Sequence, residues 1–161
     1  MATIRLIPSV YSLSNTSYLS ISNASNMYTN TDSTTYATVN HTRSRTTSYY
    51  IYVRGFNFDD IPADAIINSA IVKVKAKVTS AGSYAPRLYN NTTSLDQNLS
   101  ENIGTTATTS TLDITSNWET YKGYGNNFGI RLRLNRSSRN TASNMNIYGA
   151  EILVDYTVPI Y

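Results

Sequence analysis

The stretch Ala70-Ile71-Val72-Lys73-Val74-Lys75-Ala76-Lys77-Val78 decides the fold class. Val72, Val74, Ala76 and Val78 fall on one side of an extended chain, and Lys73, Lys75 and Lys77 on the other. Successive side chains of a strand point to opposite faces, so this alternation reads as a strand with one buried apolar face and one solvated face. A lysine row of this kind also discourages edge-to-edge pairing with other chains.

The same period of two recurs outward from that segment. In Phe128 to Leu134, Ile130, Leu132 and Leu134 alternate with Arg131 and Arg133. In Tyr148 to Val158, Ile152, Val154 and Tyr156 form an inward row, with Glu151 and Asp155 expected outward. Tyr49 to Phe58 sets Tyr49, Ile51 and Val53 against Tyr50, Tyr52 and Arg54. Weaker strands are predicted at 17–22, 35–41, 86–89 and 111–114. Turn chemistry separates them: Asp59-Asp60-Ile61-Pro62-Ala63-Asp64, Ser80-Ala81-Gly82-Ser83, Gly123-Tyr124-Gly125-Asn126-Asn127 and the polar run 135–144. Helical spacing is nearly absent. About eight strands without a fixed repeat predict an all-β fold, an antiparallel β-sandwich of jelly-roll type, with residues 1–161 forming one domain.

Composition narrows the function classes. Ser, Thr and Asn supply 60 of the 161 residues, while charged residues are only 14%, against about 25% in ordinary domains. Fourteen tyrosines accompany three Phe and one Trp. A surface of small hydroxyls, amides and phenols fits a binding or coat component better than a metabolic enzyme. Cysteine is absent, which removes disulfides and thiolate metal sites. The net charge of +3 is spread along the chain, and the dense stretch Arg131 to Arg139 reads as a solvated strand face, so no nucleic-acid partner is expected. No run reaches the ~20 apolar residues of a membrane span, and the N-terminus lacks the basic-then-apolar pattern of a secretory signal. The initiator Met and the Pro159-Ile160-Tyr161 end read as a complete small gene product.

Catalytic patterns are sparse. His41 is the only histidine, and no Gly-x-Ser-x-Gly elbow is present, so a nucleophile with a poised base is not expected. The few carboxylates, Asp59, Asp60 and Asp64 among them, fit turn capping better than a glycosidase pair. Two binding patterns stand out. Trp118, Tyr121 and Tyr124, with Asn126 and Asn127, could stack on a sugar ring and bond its hydroxyls, although for Trp118 a place in the core is the favoured reading and Tyr121 and Tyr124 are the better candidates for exposure. Asp32, Asp59, Asp60 and Asp113 could supply oxygens to a calcium ion, although their spacing is not EF-hand-like and solvated turn aspartates are the favoured reading. Tyr50, Tyr52 and Tyr148 suggest a structural tyrosine ladder.

Taken in order, several segments carry a resemblance. Tyr50-Ile51-Tyr52-Val53-Arg54-Gly55-Phe56, Asp59 through Ala70, Val72-Lys73-Val74, Leu112-Asp113-Ile114-Thr115-Ser116-Asn117-Trp118, Phe128-Gly129-Ile130-Arg131-Leu132 and Ala150 through Tyr156 follow one another as in a known domain type. The set resembles the carbohydrate-binding-module-like jelly rolls of the DNRLRE type over about two-thirds of the chain. Tyr28 through Thr38, with Ile147-Tyr148-Gly149-Ala150-Glu151, is similar to small structural proteins of tailed bacteriophages. The resemblance implies a non-enzymatic role: a capsid decoration or adhesion module on a virion assembled in the host cytoplasm. Its implied partners are the major capsid protein or tail proteins and, in the alternative, host cell-surface glycan, with a homo-oligomer as a further expectation.

Overall fold

The computed structural model describes residues 1–41, 48–79, 83–135 and 143–160. The lysine-faced segment lies inside a 13-residue strand, and its neighbour in the sheet is a 15-residue strand near the C-terminus. Eleven strands follow one another among the described residues: β1 (Ala2–Leu6), β2 (Val10–Leu13), β3 (Leu19–Ser22), β4 (Ala37–His41), β5 (Tyr49–Arg54), β6 (Ile66–Val78), β7 (Arg87–Asn90), β8 (Thr93–Asn98), β9 (Thr108–Asp113), β10 (Phe128–Leu134) and β11 (Ser143–Thr157). All of their pairings are antiparallel.

Two sheets result. One has the order β3-β4-β11-β6-β9, with β1 also paired to β11, and the other has the order β2-β5-β10-β7-β8. From β4 onward the chain places four strands (β4-β11-β6-β9) opposite four (β5-β10-β7-β8), which is the eight-strand jelly roll. The three N-terminal strands are additions at its margins. β11 is paired with β6 along its length, while its other edge is shared by β4 at residues 143–147 and β1 at 152–156.

The strand count therefore exceeds the expected eight. The strands that escape the sequence pattern are β1, β2 and β8. Their residues are largely exposed or half-buried. A strand buried on neither face has no reason to show a sharp apolar period.

Val72, Val74, Ala76, Ile130, Leu132, Leu134, Ile152 and Val154 all meet in the single core, as their alternation predicts. Glu151 does not follow expectation: it points from the outer face yet is only 1% exposed. The cause is the segment before β4, which crosses β11 in the gap between β4 and β1. Ala150 N donates to Thr29 O at 3.0 Å, and a Cβ on Gly149 would collide with the backbone oxygens of Thr29 and Asn30. Glycine is thus required where the crossing segment touches the sheet. Beneath it, Glu151 Oε1 accepts from Thr31 N and Oγ1 at 3.1 and 2.6 Å, and Oε2 lies 3.4 Å from Arg5 Nε.

One end of the sandwich is closed by a short helix, α1 (Trp118–Gly123), where the sequence reading expected only loop. Its buried Trp118 and Tyr121 complete an aromatic cluster with Phe56, Phe58 and Phe128. The expected ladder of Tyr50, Tyr52 and Tyr148 does not form. Tyr148 belongs to the other sheet, where it meets Tyr36 edge-on at 5.2 Å. Most of the predicted 135–144 loop and of the Ser80–Ser83 turn lies outside the described residues.

Candidate functional site

The proposed sugar-contact residues divide between core and rim. Trp118 stands edge-on to Phe58 at 5.3 Å and is 4% exposed. Tyr121 stacks on Phe128 at 5.0 Å and is 6% exposed, not solvent-facing as expected. Burial, followed by the neighbouring Tyr124, raises its phenol above the ordinary value. The reason is helical: α1 turns residues 118 and 121, three apart, onto one face, and that face caps the core. Tyr124 is half-buried against Tyr121, and only Asn126 and Asn127 are exposed.

Asn126 joins a different set of residues. With Arg5, Tyr28, Asn57 and Asp60 it lines a groove of about 460 Å³ at the sandwich rim. The floor of this groove depends on Gly55, whose φ of +80° and close approach to Ser9 leave no room for a side chain. A smaller hollow of about 320 Å³ borders Trp118, Ile66 and Glu119.

Three of the four candidate calcium aspartates have local partners. Asp32 pairs with Arg5 NH1 at 2.7 Å. Asp60 accepts from Asn57 Nδ2 at 3.0 Å, next to the exposed Asp59. Asp113 accepts from Thr115 Oγ1 and N at 2.6 and 2.9 Å, and these bonds hold its carboxyl below the ordinary value. Among the described residues no three His, Asp or Glu side chains gather as a metal site. His41 is buried in β4, its ring 5.1 Å from that of Tyr49.

The richest constellation lies on the outer face of the five-stranded sheet. The register aligns Tyr50 with Arg133, Tyr52 with Arg131, Arg131 with Arg87, and Gly129 with both Arg54 and Tyr89. Arg131 lies between two rings, its guanidinium carbon 4.2 Å from the Tyr50 centroid and 4.8 Å from that of Tyr89. Its NH1 donates to the Tyr89 hydroxyl at 2.6 Å. Arg133 sits 3.8 Å over Tyr84 and donates from Nε to Ser48 Oγ at 2.8 Å. Arg87 is held by Ser94, Asn98 and Asp96 at 2.6 to 2.9 Å. Tyr52 meets Tyr89 edge-on at 5.4 Å, and burial, then Tyr89, raises its phenol above the ordinary value.

Sequence reasoning found the parts of this face but not the whole. The alternation of Tyr50 with Tyr52, and of Arg131 with Arg133, is visible in the chain. That β10 lies between β5 and β7, so that arginines interleave with tyrosines, depends on pairings between distant segments. No protein-family model matches this chain, and no curated protein is significantly similar to it.

Proposed function

We propose that this chain is a non-enzymatic structural protein of a phage virion, a decoration or adhesion module displayed on the particle surface. The observation that carries the reading is the Tyr/Arg face of the five-stranded sheet, where half-buried Tyr50, Tyr52, Arg131 and Arg133 surround the buried Tyr89. Tyr and Arg are the residues most enriched where proteins bind other proteins. The small-polar composition and the resemblance to tailed-phage structural proteins agree with that use. Display in many copies would convert modest single contacts into firm attachment.

A second reading, recognition of host glycan, is favoured by one observation. The rim groove gathers Asn57, Asn126, Asp60 and Arg5 beside Tyr28, which is hydroxyl-binding chemistry next to an aromatic ring.

Immunogold electron microscopy of the source particles, with antibody raised against this chain, tests both. Regular labelling over heads is the outcome expected for a decoration protein. Labelling confined to the tail tip moves the role to host adsorption and brings the rim groove forward. Unlabelled particles overturn the virion reading.

A further inference from the structure

Resting on the reading of a particle-bound module, we propose that the outer face of the five-stranded sheet is its docking surface and that the occupant is a carboxylate-rich patch on a partner protein of the particle. Charge complementarity is the first argument. The face carries Arg54, Arg87, Arg131 and Arg133 against a single carboxylate, Asp96, which is committed to Arg87 at 2.6 Å. Among the described residues, no carboxylate lies within ion-pairing distance of Arg54, Arg131 or Arg133.

The choice of cation is the second argument. The opposite sheet presents Lys73, Lys75 and Lys77 from β6, whereas every cation on this face is arginine. Lysine is a strongly hydrated point charge suited to solubility. Arginine is planar, more weakly hydrated, and matches a carboxylate with two parallel hydrogen bonds. Two of these guanidiniums are also held in place. Arg131 lies between Tyr50 and Tyr89 and is bonded to the latter, and Arg133 lies on Tyr84 and is bonded to Ser48. A side chain fixed before binding loses little freedom on binding, so more of the contact energy remains as affinity.

The third argument separates a protein occupant from a sugar or a nucleic acid. Both of those use aromatic side chains by stacking flat on them. Here Tyr50, Tyr89 and Tyr84 each already have a guanidinium over the ring, and Tyr89 is only 7% exposed. With one side of each of these rings covered, the face offers fixed guanidinium edges and phenol hydroxyls, which suit surface Asp and Glu side chains.

Size sets the expected strength. Five strands about 4.8 Å apart, with a central strand of seven residues at about 3.4 Å each, make a face of roughly 570 Å². That is below the ~800 Å² each partner contributes to a standard stable complex. Docking by one copy is therefore weak and salt-sensitive, and occupancy depends on many copies on one particle.

The test is co-sedimentation of the full chain with source particles stripped of it, over a series of salt concentrations. Wild type is expected to bind and to be released as salt rises. Arg131→Glu with Arg133→Glu is expected to weaken binding at least tenfold. Lys73→Glu with Lys75→Glu, the same charge change on the opposite sheet, should leave binding within twofold. Arg131→Lys should weaken it severalfold despite keeping the charge. Melting curves of each variant show whether the fold persists, and amidating the particles' carboxylates with carbodiimide and glycinamide should abolish wild-type binding without any change to this chain. Binding by the arginine-reversal variant at wild-type strength, or wild-type binding that survives the amidation, overturns the docking proposal while leaving the virion reading intact. Failure of wild type to bind particles overturns the virion reading itself. Arginine-dependent binding to DNA or to polygalacturonate, with none to particles, assigns the face to a polyanion and overturns the protein occupant.

Discussion

At the scale of single residues, the structure is governed by where a side chain has room and where it has a partner. Gly149 is the clearest case. Thr29 and Asn30 cross β11 there with their backbone oxygens against the glycine, and a backbone obstacle cannot rotate aside. Gly149→Ala is expected to destabilise the protein by about 3 kcal/mol, the upper range for overpacking. Gly123, where an added Cβ meets nothing, serves as the control. Gly123→Ala should be neutral or stabilising by up to about 1 kcal/mol, since it lowers only the freedom of the unfolded chain. Urea titration of both variants checks the contrast, and equal midpoints would refute the crossing. Glu151 teaches the same lesson in charge. Its outward phase was legible from the alternation of β11, but its burial was not, because Thr31 and Arg5 arrive from 120 or more residues earlier in the chain.

At the scale of elements, strands with one buried and one solvated face were readable and the helix was not. β6, β10 and the later part of β11 alternate cleanly, and β10 was bounded to the residue. α1 is six residues long, too short to show a helical period and far below the length at which a helix is stable alone. Tertiary packing creates it, through Trp118 on Phe58 and Tyr121 on Phe128. Trp118, for which the core is the favoured reading, and Tyr121, expected to face solvent, therefore both act as a plug for the core. Trp118→Ala should cost about 3 to 5 kcal/mol, as removal of a large buried aromatic does. Tyr124→Ala, at the half-buried residue that follows the helix, should cost less than half of that. Thermal or urea unfolding compares the two directly. Similar losses from both would mean that the helix as a whole, not its inward face, closes the sandwich. Three of the four aspartates fit this scale too: Asp60 and Asp113 are engaged within their own turns and Asp32 by Arg5.

At the scale of the whole molecule, the jelly roll joins segments that are remote along the chain. β11 near the C-terminus is flanked by β6 on one side and by β1 and β4 on the other. Contacts of such separation must close long loops before they stabilise anything, which slows folding. Refolding from urea, followed by Trp118 fluorescence, is expected on the order of milliseconds to seconds, and a microsecond phase carrying the full amplitude would contradict the topology. The same remoteness explains what the chain could disclose. By itself the sequence determined the fold class, the apolar rows of the core, and a polar, tyrosine-rich, cysteine-free surface. These follow from local alternation and composition, which need no knowledge of partners. Only the tertiary structure decided which strand lies beside which, and with it the burial of Glu151 under a crossing segment. It likewise decided the retreat of Tyr121 into the core, and the interleaving of Arg131 and Arg133 with tyrosines from β5, β7 and Tyr84. The physical reason is that register and neighbour order come from hydrogen-bonded pairing and packing between distant segments, and a strand's own period of two says which face a residue takes but not what it will meet there.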